Sequence, residues 1–337
     1  MRKLLQKIFR PIFIRLAMRF TSAPKQVDVF KSLTDLLKNI IGKKTAKGIV
    51  LDINLLTDNF IIFSDQHKGN KDRGDDFKSN EANYIAALAH YHQQCYHYIN
   101  LGDAEELWKY EAHTVVQEYA AALQSEANFQ NDDKYYRTFG NHDLLWKNKL
   151  DVLLHLKPYF KMPLPVYEGL VLLATVKNIP LQIFLTHGHQ GDKMSDNNAF
   201  STWLVAHIWA PIQRFLTINV NTPANDFYLR DKHNRLMYDW SSYKKNTLLI
   251  TGHTHKPVFA SGKYTSVDAH SISTSDSTPN LKPTYFNTGC CCYNDGDITG
   301  IEIADGFIRL VKWYRNDNVS KRMVLEEKLL AEIIQDL

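Results

Sequence analysis

Tyr135-Tyr136-Arg137-Thr138-Phe139 runs straight into Gly140-Asn141-His142-Asp143. A short aromatic-rich run, closed by a glycine and three residues able to bind a cation or move a proton, reads as a buried strand delivering a polar loop. Four other stretches have the same form. Asn59–Phe63 runs into Ser64-Asp65-Gln66-His67, and Tyr96–Leu101 into Gly102-Asp103. Leu181–Thr186 runs into His187-Gly188-His189, and Thr247–Thr251 into Gly252-His253-Thr254-His255. Amphipathic helical stretches, such as 77–94 and 105–128, lie between them. Alternating strands and helices predict an α/β architecture. In such folds the C-terminal strand ends converge on one edge of the sheet, where ligands bind. Six of the 14 histidines fall in these five loops. A single histidine at a strand end is ordinarily a cap or a satisfied surface group, but five repeats of the pattern are not. The i, i+2 pairs Asp65/His67 and His253/His255 can each aim both side chains at one site.

The remainder of the chain sets the context. Its 337 residues are ample for a sizeable core, and four cysteines exclude a disulfide scaffold and fit a reducing compartment. A net charge of +4 excludes a highly charged nucleic-acid-coating protein. That charge is local: residues 1–27 hold seven of the 40 basic residues and no acid, leaving 33 basic against 36 acidic elsewhere, a net of −3. In residues 1–20 the pairs Leu4/Leu5, Ile8/Phe9, Ile12/Phe13 and Leu16/Ala17 repeat every four positions and make an apolar stripe among basic residues, with a kink expected at Pro11. No uncharged run there is long enough to cross a membrane. The segment reads as a surface helix for an anionic membrane through residues 1–25. Packing of the stripe on the body is the alternative, and a mitochondrial presequence a third. The Ser- and Thr-rich stretch 261–283 predicts an exposed loop. Ile298–Ala304, Asp305-Gly306 and Phe307–Trp313 predict a hairpin. Residues 321–337 predict a C-terminal amphipathic helix.

The ordered set D-x-H, G-D, G-N-H-D, H-G-H, G-H-T-H resembles the calcineurin-like metallophosphoesterase superfamily, and it spans residues 61–255 in that family's order. The resemblance implies a four-layer αββα sandwich, with Tyr285-Phe286-Asn287-Thr288-Gly289 and the hairpin in its C-terminal part. It implies Asp65, His67 and His255 on one divalent cation, Asn141, His187 and His253 on a second, and Asp103 bridging the two. His142 is then the catalytic histidine, with Asp143 orienting it. Oxygen and imidazole donors suit Mn, Fe or Zn. Two such cations imply hydrolysis by a metal-bridging hydroxide. Cys290, Cys291 and Cys292 fall on or beside a strand, where successive side chains alternate in direction, so the three together do not suit one metal and read as buried small residues.

Gly102-Asp103-Ala104-Glu105-Glu106-Leu107-Trp108 looks more like UDP-2,3-diacylglucosamine hydrolases, which carry an acid and an aromatic after the G-D, than like protein phosphatases, which carry Asp-Arg-Gly there. The hydrolases usually have arginine where His142 stands. Like them, this chain has a helical insertion before the last metal motif: residues 194–245, with an apolar run from Phe200 to Leu216, read either as a lid over an acyl chain or as a helix on the core. The sequence thus predicts a basic N-terminal segment (1–45), a phosphoesterase domain (46–320) and the C-terminal helix (321–337). The expected substrate is a small-molecule or lipid-linked phosphoester, with Lys68, Arg73 and His189 as candidate contacts. The expected location is the cytoplasm, peripheral on the inner face of the membrane if residues 1–25 bind it. A nuclease, a cyclic-nucleotide phosphodiesterase and a non-catalytic module are the alternatives. The negative body counts against nucleic acid, and the full ligand set against a module.

Overall fold

The computed structural model describes residues 24–43, 47–191, 227–260 and 282–337. Two sheets stack face to face and are covered by helices on both outer sides. The first has five strands in the order β1 (Gly48–Asp52), β6 (Gly169–Val176), β7 (Ile179–Thr186), β8 (Thr247–Thr251), β9 (Tyr285–Asn287). The second has seven, in the order β12 (Val319–Leu329), β11 (Phe307–Asn316), β10 (Ile298–Ala304), β2 (Phe60–Phe63), β3 (His97–Leu101), β4 (Tyr135–Thr138), β5 (Val166–Tyr167). Strands β2, β3 and β4 run parallel, as do β7 and β8. Their burial on both faces explains why they read as near-continuous apolar runs.

Three apolar layers hold the stack together. Phe60, Ile62, Ile99 and Leu101 of the second sheet meet Leu170, Leu172, Ile183, Leu185, Leu248 and Ile250 of the first. The outer face of the five-stranded sheet is covered by α1 (Gln26–Ile41) and α6 (Phe227–Ser242) through Val29, Leu33, Leu36, Met237 and Trp240. The outer face of the seven-stranded sheet is covered by α2 (Glu81–Gln93), α3 (Ala112–Glu118), α4 (Ala120–Asn131) and α5 (Lys149–Leu156). This is the four-layer αββα sandwich that the resemblance implies.

The five strands predicted before polar loops are β2, β3, β4, β7 and β8. The predicted hairpin is β10–β11, whose turn residues Asp305 and Gly306 both have positive φ, 54° and 79°, as a two-residue turn between twisted strands requires. Two expectations are corrected. Residues 321–337 are not one helix: Val319–Leu329 pairs along β11 as β12, and only Leu330–Asp336 (α7) is helical. The alternation that reads as helical amphipathicity there is that of a half-exposed edge strand. Residues 26–41 of the N-terminal segment belong to the body as α1. Residues 1–23 lie outside the described residues, as do the Ser- and Thr-rich positions 261–281 and the apolar run Phe200–Leu216. The described part of the insertion, α6, packs on the sheet and on α1, with Trp240 Nε1 donating to Thr34 Oγ1 at 3.0 Å. No helix among the described residues is long and apolar enough to cross a membrane.

Candidate metal centre

The loops after β2 and β3 are zipped together by backbone hydrogen bonds. Asp65 donates to Gly102 O, His67 to Asp103 O and Lys68 to Ala104 O, each at 3.0 Å, and Glu106 N returns to Lys68 O at 2.9 Å. The same side of the stack carries the loops after β7 and β8, joined by Gly252 N to His187 O at 3.0 Å. His253 N donates to Asp65 Oδ2 at 2.9 Å across the two sheets. Asp65, His67, Asp103, His253 and His255 all have positive φ, between 50° and 69°. Left-handed backbone costs a non-glycine residue on the order of 1–3 kcal/mol, and such strain gathers where a site is held against its local preference. Two motif glycines have a steric reason: a Cβ at Gly140 would strike the Asp103 carboxylate, and one at Gly252 the Asp65 carboxylate.

Two adjoining donor groups result. In the first, Asp65 Oδ1 lies 3.2 Å from His255 Nε2 and 3.8 Å from His67 Nε2, and the two imidazoles approach at 3.0 Å. Asp103 Oδ2 is 3.7 Å from His67 Nε2 on this side. On the other side it is 3.1 Å from His187 Nε2, and Asp103, His187 and His253 form the second group. Asp103 thus faces both, as a bridging carboxylate must. Asn141 Oδ1 and His253 Nε2 are buried without a hydrogen-bond partner, and His187 Nε2 faces the Asp103 carboxylate. Uncompensated buried polar atoms are costly and rare, and His253 Nε2 beside Asp103 and His187 fits a cation. His187 Nδ1 lies 2.9 Å from Leu101 O and donates to it, so Nε2 is the edge that would meet a cation once its own proton is displaced. Six of the seven residues assigned to two cations by resemblance thus fall in adjoining clusters linked through Asp103 and His67, and Asn141 precedes His142, whose N–H donates to Asp103 Oδ1 at 2.8 Å.

The electrostatics match. Burial opposes ionisation of Asp65 and Asp103, but the surrounding imidazoles hold both carboxyls below the ordinary range. Burial likewise opposes charge on His187 and His255. Asp103 nevertheless raises His187 to about 9, and Asp65 raises His255 to about 10. Without a cation these two imidazoles carry protons that balance the carboxylates. His253, held low by burial and by His233 and His187, stays neutral.

His142 stands beside the first group, edge-on to His67 at 4.6 Å between ring centroids. Its orientation departs from expectation. Asp143 does not touch its ring; instead Asp143 accepts from Gly140 N at 2.6 Å and Ala104 N at 2.9 Å, tying the β4 loop to the β3 loop. The residue on His142 Nδ1 is Glu106, whose Oε1 lies 2.8 Å away, while its Oε2 lies 3.3 Å from His67 Nδ1 and 3.2 Å from Lys109 Nζ. Trp108 stacks on a face of the His142 ring, with centroids 3.9 Å apart and planes 22° apart. Glu106 and Trp108 are visible in the sequence only as an acid and an aromatic after Asp103. His233, on α6, is a further residue that sequence reading does not place: it is buried, edge-on to His253 at 5.1 Å.

The expected substrate contacts fare differently. Lys68 is wholly buried, with Nζ 2.6 Å from Glu126 Oε1 and 3.4 Å from Glu105 Oε1. It belongs to a charged network under the loops, in which Arg137 pairs with Glu105, and Tyr84, Tyr135 and Trp146 donate to the two glutamates. It cannot reach a substrate. His189 is buried behind His187, and burial together with His187 lowers it to about 3, so it is neutral at physiological pH. Arg73 is exposed on the loop beyond β2.

The search of solved structures returns 46 matching chains. Vacuolar protein sorting 29 from Cryptosporidium parvum aligns at 13% identity over 81% of this chain and 98% of its own, with a TM-score of 0.34. A single mutant of the same protein from Entamoeba histolytica aligns at 13% identity over 80% and 99%, with a TM-score of 0.33. No curated protein matches the chain. The model of the calcineurin-like phosphoesterase family matches residues 59–257. That span is more than half the chain, opens at β2 and closes just past His255, and so takes in all five loops. The chain belongs to the calcineurin-like phosphoesterase family.

Proposed function

We propose that the protein is a dinuclear-metal-dependent hydrolase of a phosphate or pyrophosphate ester. The observation that carries this reading is the grouping of Asp103 with His187 and His253, the last with a buried Nε2 that has no partner, next to a second donor group and to His142. Asp65, His67, His255 and Asp103 would hold one cation, and Asp103, Asn141, His187 and His253 the other, with Mn, Fe or Zn suiting the donors. Such a pair supplies charge neutralisation for phosphoryl oxygens and an acidified water at neutral pH. The protein's own residues do the rest. Glu106 and Trp108 fix the His142 ring, leaving Nε2 to meet the phosphoryl group or hand a proton to the leaving oxygen. Asp143 holds the β4 loop so that Asn141 and His142 keep their places.

An amphipathic substrate at an anionic membrane surface is the second half of the reading. Leu150, Leu153 and Leu154 share one face of α5, exposed at 72%, 44% and 71%, opposite the buried Val152 and Leu156. Leu145, in the turn that joins α5 to the catalytic loop, is also exposed. Transfer of a leucine into hydrocarbon is worth about 1.5–3 kcal/mol, and Lys149, Lys157 and Lys161 in the same stretch supply the charge that anionic lipid attracts. With the basic residues of 1–25 these give two membrane signals rather than one.

The test is metal content together with a substrate panel. Binding of roughly two equivalents of Mn²⁺ and hydrolysis of a lipid pyrophosphate ahead of a nucleotide sugar, a cyclic nucleotide and DNA is the expected result. His142→Ala should keep the metal and lose most turnover, whereas Asp103→Ala should lose both. A protein that binds no divalent metal, or an active Asp103→Ala variant, overturns the assignment.

A further inference from the structure

His255 faces two ways. Its Nε2 edge meets Asp65 and His67, as described above. Its Nδ1 edge meets the cysteine loop that follows β9, where Cys292 Sγ lies 3.6 Å away. Alternation along Cys290-Cys291-Cys292 separates the middle residue from the outer two. Cys291 enters the apolar layer under α2 and α4, and its N–H donates to Asp65 O at 3.2 Å, pinning this loop to the β2 loop. Cys290 and Cys292 lie on the other side, and their sulfurs and a ring nitrogen of His255 are all within 4.8 Å of one another. In a tetrahedral site with metal–sulfur bonds of about 2.3 Å and metal–nitrogen bonds of about 2.0 Å, ligand atoms stand roughly 3.5–3.8 Å apart. Small side-chain rotations close that difference.

We propose that Cys290, Cys292 and His255 Nδ1 form a separate site for a thiophilic cation (Zn²⁺, Cd²⁺ or Cu⁺), and that its occupancy and that of the Asp65–His67 group weaken each other. The donor chemistry distinguishes the two. Asp65, His67 and Asp103 offer oxygen and imidazole, whereas two thiolates select soft ions over Mn²⁺. Binding a divalent cation replaces the two S–H bonds with two metal–sulfur bonds and releases two protons, with no change of oxidation state. The site is open enough to load, since the His255 side chain retains 20% exposure.

The antagonism follows from the imidazole. A neutral ring carries one proton and offers one lone pair. A cation on Nδ1 puts the proton on Nε2, which then donates toward Asp65 and no longer serves the first group. A cation on Nε2 puts the proton on Nδ1, which then points at the sulfurs. Each metal therefore weakens the other's binding by the same factor. A thiophilic ion would act as an inhibitor that removes a ligand without entering the two-metal centre.

The inference rests on the proposed function in one respect, that a divalent cation binds the Asp65–His67 group through His255, and its test needs no substrate. The reduced protein is titrated with Cd²⁺ while the thiolate-to-cadmium charge-transfer absorption is followed, with and without saturating Mn²⁺. The expected results are a saturable band at one equivalent and a midpoint that Mn²⁺ raises by roughly 5- to 150-fold, the usual range of coupling between sites. Cys292→Ser and Cys290→Ser should each weaken the band, and the double variant should lose it. A band that survives in the double variant places the cadmium on Cys95 or Cys291 and overturns the proposal. So does a midpoint indifferent to Mn²⁺ in protein that metal analysis shows to have bound Mn²⁺, which would show that His255 is not shared; protein that binds no Mn²⁺ at all instead counts against the proposed function. Hydrolysis failing in every assay would leave this titration as informative as before.

Discussion

Replacing Glu106 by glutamine removes one charge, keeps the shape, and tests whether this side chain holds His142 and His67 together. Its two oxygens serve two imidazoles, Oε1 at 2.8 Å from His142 Nδ1 and Oε2 at 3.3 Å from His67 Nδ1. His67 Nδ1 carries a proton whenever Nε2 binds a cation, so both imidazoles need an acceptor here. Glutamine offers one carbonyl oxygen and one NH₂, so one ring keeps its partner and the other meets a donor. A hydrogen bond to a charged group is worth about 1.5–3 kcal/mol. At 1.36 kcal/mol per decade, loss on the His142 side lowers kcat roughly 10- to 150-fold. Loss on the His67 side instead weakens metal binding, typically about 10- to 100-fold when a ligand's outer partner is removed. The assay is kcat and KM on an aryl phosphodiester across a Mn²⁺ titration. A kcat deficit that persists at saturating Mn²⁺ assigns the effect to His142, and one that excess Mn²⁺ repairs assigns it to His67. Wild-type kcat and wild-type Mn²⁺ affinity together would refute the reasoning. So would a Glu106→Gln variant indistinguishable from Asp143→Asn, because Asp143 acts on backbone N–H groups and not on the His142 ring.

Three more predictions concern the surrounding architecture. Metal affinity should rise with pH, because Asp103 and Asp65 keep His187 and His255 protonated in the metal-free protein and a cation must displace those protons; the rise continues to about 9, where His187 sheds its proton unaided, and levels beyond about 10. Calorimetry in buffers of different ionisation enthalpy should show proton release at pH 7, and a pH-independent affinity would contradict it. Lys68→Met strips the wholly buried Glu126 and Glu105 of a cation and should destabilise the fold by about 3–5 kcal/mol, read by chemical denaturation; a stable variant with a raised KM would instead restore Lys68 as a substrate contact. Gly140→Ala drives a methyl into the Asp103 carboxylate and should abolish two-metal binding, measured by metal content after desalting, while leaving far-ultraviolet circular dichroism intact.

Much of this protein is local information. Each of β2, β3, β4, β7 and β8 is a short apolar run followed at once by its polar loop, so strand and site residues are read from the same dozen positions. The Asp305-Gly306 turn specifies its hairpin through two residues that tolerate positive φ. The set of candidate metal ligands is legible because five strand ends repeat one chemistry. Pairing between distant segments is not legible in this way. Residues 321–329 alternate weakly and read as a helix, and only the open edge of β11 makes them a strand. Lys68 follows His67 in a polar loop and looks exposed, yet the backbone zipper between the β2 and β3 loops turns it inward onto Glu126. Asp143 is adjacent to His142 in sequence and bonds backbone N–H groups instead of its ring, whereas Glu106, 36 positions earlier, bonds the ring. The sequence by itself determined the strands, the loops and the kinds of donor they carry, because those depend on periodicity and side-chain chemistry over a few residues. Only the tertiary structure decided which donors are neighbours, which carboxylate holds the His142 imidazole, and that Cys290 and Cys292 stand behind His255, because direction and distance between loops are set by the packing of the two sheets.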